Sequence, residues 1–194
     1  MAGFSYGLVR DMKKPVNQLI CTELAVVMKD IYPKAKFHYL VLPWEDIDTV
    51  YQLSLENLPL LHEMHFLGST VIQKFGVQQG MKEDCFQMGF HMKPSMHRLH
   101  LHCISTDFVS ESLKYKEHWN SFVTDFFMPF ESIVQELQEK GRIEKRPEQY
   151  VIDLLKTQLV CNQCNYHPKS FPDLKRHLAN HLSSTGSGTE AISL

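Results

Sequence analysis

Side chains suited to attack on phosphorus crowd into fifteen residues, His91-Met-Lys-Pro-Ser-Met-His-Arg-Leu-His-Leu-His-Cys-Ile-Ser105. His100 and His102 alternate with Leu99, Leu101 and Ile104, the period of a half-buried strand, so both imidazoles project from one face. Lys93-Pro94-Ser95-Met96 reads as a loop that brings a hydroxyl and backbone N–H groups to that face. One imidazole can act as a nucleophile while others bind charge and move protons. Two histidines at alternate strand positions would by themselves describe a polar sheet face. The neighbouring loop and a third histidine, His91, point to a site.

The elements that must hold these residues follow from periodicity. A short helix is expected over 5–12. Apolar segments at Gln18–Cys21, Ala25–Lys29 and Phe37–Pro43 read as strands. From Ser54, the residues Leu55, Leu58, Leu61, Met64, Leu67, Val71 and Phe75 recur every three or four positions, an amphipathic helix of about five turns with Ser54 as N-cap. Pro59 is tolerable there only because it lies near the start. Strands near Cys85–Met92 and Leu99–Ser105 complete an α+β domain with an antiparallel sheet, assigned to residues 1–110. Residues 111–157 are rich in aromatics, including Trp119, Phe122 and Phe126, and form a connecting helical segment that packs on both neighbours. A helix is expected over Pro129–Lys140, stopping at Gly141, after which a charged stretch, Arg142–Glu148, leads to Tyr150–Lys156 and a small C-terminal unit. Residues 183–194 have linker composition and read as a disordered tail.

A second chemistry lies in residues 158–182. Cys161-x2-Cys164-x12-His177-x3-His181 has the spacing of a two-Cys, two-His zinc finger of ββα form. Two thiolates on a knuckle and two imidazoles one helical turn apart converge on one tetrahedral, structural ion. Ser170 would cap the helix, with Asp173 three places on, and Leu174 would fill the small core. Ser170, Asp173 and Arg176 are weak base readers, so Lys169, Lys175 and Arg176 are assigned to backbone phosphates. A finger that only packs on its neighbour is the competing reading.

The 194 residues carry a net charge of −2, and no apolar run approaches the length of a membrane span. The N-terminus lacks the basic start and apolar core of a secretion signal. Charge is uneven: residues 1–40 hold six Lys/Arg against three Asp/Glu, and 159–182 three against one, whereas 41–110 hold four against eight. The two ends therefore suit a polyanion better than the middle. Cys21, Cys85 and Cys103 sit singly in apolar strands and are expected to be buried thiols, which fits a reducing compartment.

Arg98-Leu-His-Leu-His-Cys-Ile104 resembles the histidine triad family, whose signature alternates three histidines with apolar residues. Arg98 takes the place of the first histidine, and the family's nucleophile falls on His100. Lys29–Pro43, Pro94-Ser-Met96, Leu99–Ser105 and His118-Trp-Asn-Ser-Phe122, together with the finger, resemble the branch of the family that repairs DNA ends. Members of that branch often carry a further N-terminal phosphopeptide-binding domain, so this chain is read as a short or trimmed form. The resemblance implies a hydrolase that removes AMP from the 5′-phosphate of adenylated DNA through a covalent AMP–histidine. It implies that His102 and Ser95 hold the non-bridging oxygens, that His91 protonates the departing DNA phosphate, and that Asp30 binds the ribose. His38 and Lys36 would reach phosphate, and Phe4, or else Tyr6, would stack on the exposed DNA end. Lys13, Lys14, Lys114 and Lys116 are candidate phosphate contacts. The implied partners are DNA at nicks and 5′ ends, AMP, and other repair proteins, with a monomer, one zinc ion, no membrane and a nuclear residence that can extend to the cytoplasm. Two alternatives stay open: a triad hydrolase of small nucleotides such as AMP-amidates or dinucleoside polyphosphates, and a non-catalytic DNA-end-binding protein whose triad has decayed at Arg98.

Overall fold

The computed structural model describes residues 6–184. Six strands form one antiparallel sheet: β1 (Gln18–Cys21), β2 (Ala25–Lys29), β3 (His38–Pro43), β4 (Phe86–His91), β5 (Leu101–Ser105) and β6 (Phe127–Pro129), in the order β1-β2-β3-β5-β4-β6. Among the described residues six α-helices accompany them: α1 (Gly7–Met12), α2 (Leu58–Phe75), α3 (Lys116–Val123), α4 (Phe130–Lys140), α5 (Glu148–Lys156) and α6 (Phe171–Ser184).

The long helix α2 starts as the sequence demands. Ser54 closes a capping box with Asn57 over a single 3-10 turn, and α2 proper begins at Leu58 with Pro59 in its first turn. Its buried stripe of Leu61, Met64, Leu67 and Val71 covers one face of the sheet, meeting Val27, Tyr39, Val41, Leu101 and Cys103. Gly68 lets helix and sheet close up, because a Cβ there would lie 2.8 Å from both Cys103 Sγ and Met88 Sδ. Helix α4 stops where Gly141 takes a positive φ of 73°, a conformation that costs glycine nothing.

The opposite face carries the chemistry. Because β3 pairs with β5 in the register His38↔Ile104 and Leu40↔His102, the side chains of His38 and His102 are diagonal neighbours on the face away from α2. The β1 side of that face is closed by α1, where Leu8 and Met12 pack on Val26, Met28, Leu40 and Leu42. Its other side is closed by α3 and the zinc-binding unit. Trp119, fully buried, joins Phe108, Leu113 and Phe122 to Leu159, Cys161, Leu174 and Leu178 in a single core. Asn162 Nδ2 donates to the Thr106 carbonyl at 2.8 Å and Lys175 Nζ to the Ser110 carbonyl at 3.0 Å, so polar contacts fasten the same junction.

Three local expectations change. Strand β6 is missed because it is three residues long and ends in proline. The chain from Leu159 to Ser170 makes a turn, with Cys161 N–H donating to the Tyr166 carbonyl at 2.9 Å, and forms no strands, so the finger is not ββα. Cys103 is buried as expected, but Cys21 is exposed at the end of the edge strand β1 and Cys85 is half-buried in the turn before β4.

Candidate active site and zinc centre

Four imidazoles meet at the end of β3, β4 and β5. Ring centroids of His91 and His102 are 4.3 Å apart, those of His100 and His102 4.9 Å, and those of His38 and His102 5.2 Å. They line one side of a cavity of about 510 Å³, with Phe122 packed edge-on against three of them.

Backbone donors and acceptors fix the tautomers. A carbonyl oxygen only accepts, so the 2.7 Å contact between His100 Nδ1 and the Arg98 carbonyl puts the ring proton on Nδ1. The bare lone pair of Nε2 is then the nucleophilic edge. The Lys34 N–H donates to His38 Nδ1 at 3.1 Å, which leaves the proton of His38 on Nε2. That proton faces His102 Nδ1 at 2.9 Å, so His102 carries its own on Nε2. Asp30 Oδ2 also lies 3.4 Å from His38 Nδ1. One ring lone pair cannot accept from Lys34 and also give a proton to Asp30, and the shorter, directed bond to Lys34 decides it. Asp30 in turn accepts from the Tyr32 N–H at 2.7 Å. The Nε2 atoms of His102 and His91 are buried and find no hydrogen-bond partner among the described residues. The orphaned Nε2–H of His102 is what a bound oxyanion would satisfy.

Burial keeps the cluster neutral. His38 is pushed down to about 4, first by loss of hydration and only partly opposed by Asp30. Desolvation also lowers His100, against the pull of its bond to the Arg98 backbone. His102 and His91 lie well below the ordinary imidazole value, from desolvation first and then from the neighbouring rings. At neutral pH His100 is thus uncharged, a state in which an imidazole can act as a base or nucleophile.

The structure gathers Asp30, His38, His91, Ser95, His100, His102 and Lys114 around this cavity. Lys36 is not among them. Strand β3 begins only at His38, so strand parity does not extend back to Lys36, whose amine lies over the Phe37 ring. Lys34 lines the cavity in its place, and half-burial lowers its pKa. Lys93, Tyr115 and His118 are further wall residues; loops deliver the first two, and the first turn of α3 delivers His118. The quoted motif His118–Phe122 was the available signal. Lys13 and Lys14 follow α1 and line neither cavity, and Lys14 pairs with Asp11 at 2.7 Å. Lys116 Nζ donates to the Lys156 carbonyl, and Arg176 pairs with Asp173. Lys169 is exposed, whereas the amine of Lys175 is spent on the junction with Ser110. Phe4 lies outside the described residues. Tyr6 is exposed and stacks on His97 with centroids 4.4 Å apart.

A second cavity of about 170 Å³ adjoins the first and is lined by Leu8, Met28, Ile31, Leu40 and Met96. Asp30 belongs to both cavities.

The donor atoms of Cys161, Cys164, His177 and His181 all lie within 4.8 Å of one another. Their S···N separations are 3.2, 3.5 and 3.6 Å and the N···N separation is 3.0 Å. Tetrahedral bonds of about 2.3 Å to sulfur and 2.05 Å to nitrogen require edges of about 3.4 to 3.8 Å, so the four donors fit zinc with slight contraction. With four protein ligands the site is closed: one structural zinc. Tyr166 stacks on His177 and donates to Asp173 Oδ2 at 2.8 Å, while Ser170 Oγ accepts from the Asp173 N–H and so caps α6.

Comparison with known proteins gives two family matches. The family described as "Scavenger mRNA decapping enzyme C-term binding" matches residues 5–118, and "C2HE / C2H2 / C2HC zinc-binding finger" matches 123–184. An "Aprataxin-like protein" of Drosophila melanogaster is 42% identical over 98% of this chain and 28% of its own length. An "Aprataxin-like protein" of Saccharomyces cerevisiae is 30% identical over 81% of this chain and 84% of its own length. The chain spans about half the length of the vertebrate aprataxins that it matches. A crystal structure of the aprataxin orthologue Hnt3 in complex with DNA shares the fold, with a TM-score of 0.79 at 21% identity over 94% of this chain and 96% of that one.

Proposed function

The chain belongs to the aprataxin family of histidine triad proteins, and on that footing we propose that it is a DNA-repair hydrolase that removes AMP from 5′-adenylated DNA ends. One observation carries the reading: the Nε2 lone pair of His100 faces a cavity that shares Asp30 with a second, base-sized apolar cavity. AMP would lie across both, its base among Leu8, Met28, Leu40 and Met96, its ribose hydroxyls on Asp30, its phosphate against the imidazoles.

His100 Nε2 attacks the adenylate phosphorus. The P–O bond to the DNA 5′-phosphate breaks, its electrons stay with the leaving oxygen, and AMP remains bonded to His100. Water then attacks the same phosphorus, giving a proton to His91, which is neutral again after protonating the departing phosphate; the N–P bond breaks, AMP leaves and the lone pair returns to Nε2. The N–H of His102, fixed by His38, donates to a non-bridging oxygen, with Ser95 on the loop opposite. His91 is neutral in the open cavity; a bound phosphate's charge raises its pKa, so the proton for the departing DNA phosphate is taken up with substrate. Alignment and charge stabilisation supply most of the catalysis, since a phosphate leaves readily. Lys34, Lys93 and Lys114 on the cavity wall suit a polyanionic leaving strand more than a small nucleotide. Nuclear residence belongs to the same proposal.

The test is a nicked duplex with a labelled 5′-adenylated strand, followed on a denaturing gel beside AMP-lysine. AMP should leave the DNA far faster than the amidate, and His100→Ala should retain binding while losing turnover by at least about 10³-fold. Turnover of AMP-lysine alone would make this a small-nucleotide hydrolase. Binding without turnover of either would leave only the end-binding reading.

A further inference from the structure

The family signature has a histidine where this chain has Arg98, and we propose that Arg98 is the positioning residue for the nucleophile, clamped by the Trp44–Asp48 loop. It acts on His100 as read above, and so rests on that reading. Arg98 has φ of 83°, in the left-handed region that residues with a Cβ avoid. The kink turns its carbonyl onto Nδ1 of His100, two residues ahead, at 2.7 Å. Extended backbone would aim that carbonyl at a neighbouring strand instead.

Such a conformation persists only where the surroundings over-determine it. Here the Arg98 N–H donates to Asp48 Oδ1 at 2.8 Å, and the next N–H, that of Leu99, donates to the Ile47 carbonyl at 2.6 Å. The guanidinium lies almost wholly buried. It reaches Asp46 Oδ1 at 2.9 Å and donates to the Glu45 carbonyl, with the Trp44 carbonyl 3.4 Å away. On the other side of the kink, His97 Nδ1 meets Asp48 Oδ2 at 3.0 Å. One loop therefore holds the backbone before, at and after the kink, and the planar fork of arginine spans three of its residues where an imidazole would reach fewer. The substitution at the first signature position is thus matched by acids at 46 and 48, and marks an alternative support for His100 rather than a decayed site.

Two measurements decide it. Long-range proton–nitrogen NMR of histidine-labelled, zinc-loaded protein reads the His100 tautomer without any substrate. It should show Nδ1–H in the wild type and a mixture in Arg98→Ala. Single-turnover adenylate transfer should fall on the order of 100-fold in Arg98→Ala with KM changed less than about 3-fold, the pattern of a misaligned nucleophile. Arg98→Gly should recover much of the loss, since glycine adopts the positive φ unaided. Arg98→Lys should not, because an ammonium cannot span the loop. Should Arg98→Ala fail to fold, Asp46→Ala, at an exposed position, should shift tautomer and rate in the same direction by a smaller factor. A wild-type tautomer and rate in Arg98→Ala, or equal losses in Ala and Gly that merely follow the melting temperature, would overturn the proposal. If the wild type never turns over adenylated DNA, the proposed function fails while the tautomer still decides the role of Arg98.

Discussion

The His38 assignment makes opposite predictions according to which neighbour owns its Nδ1. If Lys34 N–H donates to it, His38 is neutral and hard to protonate; if Asp30 pairs with it, His38 is a cation held by a carboxylate. The first reading puts its pKa at about 4 in the fold against an ordinary 6.5 in the unfolded chain. A group with a depressed folded pKa contributes a penalty only where the unfolded chain is protonated and the folded one is not. Stability is therefore complete above pH 6.5 and falls as pH drops toward 4. From pH 7 to pH 5 the loss works out at about 2 kcal/mol, and it reaches about 3 kcal/mol at pH 4. His38→Gln removes the titrating group while its amide can still accept from Lys34 and donate to His102. Urea melts of both proteins at pH 7 and pH 5, with zinc present, isolate the term, because acid effects on the zinc ligands and on His91, His100 and His102 largely cancel between them. The wild type should lose about 2 kcal/mol more than the variant on acidification. Equal losses, or a larger loss in the variant, would refute the Lys34-directed tautomer, and with it the argument that His102 presents an N–H to the cavity.

Two further outcomes follow from the second core. Trp119 is buried and its Nε1–H has no partner among the described residues, so Trp119→Phe should be nearly neutral in chemical denaturation: about 1 kcal/mol lost to the smaller ring against about 1–3 kcal/mol recovered from the stranded donor. A loss above about 3 kcal/mol would show that the indole N–H is satisfied. Removing zinc with a strong chelator should lower the melting temperature by on the order of 10 °C and change the near-ultraviolet signal of Trp119, since Leu174 and Leu178 pack on it from the metal-bound helix. An unchanged melting temperature would mean that the finger is not integral to the fold.

Residue type and spacing alone determined the four zinc ligands and the long helix, because each is set by a local period, three to four for the helix and fixed loops for the metal; the period of two put His100 and His102 on one strand face, and the family resemblance singled out His100 as the proposed nucleophile. The antiparallel α+β class followed from the order of those elements. Lys36, taken from the family resemblance, precedes β3 and does not line the cavity, whereas Lys34 does. Only the tertiary structure decided which residues share a cavity. His38 and His102 are 64 positions apart and meet through strand register; Lys93 and Lys114 reach the same wall from loops with no period to read, and His118 reaches it from the start of α3. It also gave Lys175 to the junction between the two units. Arg98 shows the limit most clearly: in sequence it is a broken signature, and only its positive φ and the loop that clamps it reveal a support for His100, because backbone conformation and distant hydrogen bonds leave no periodic trace.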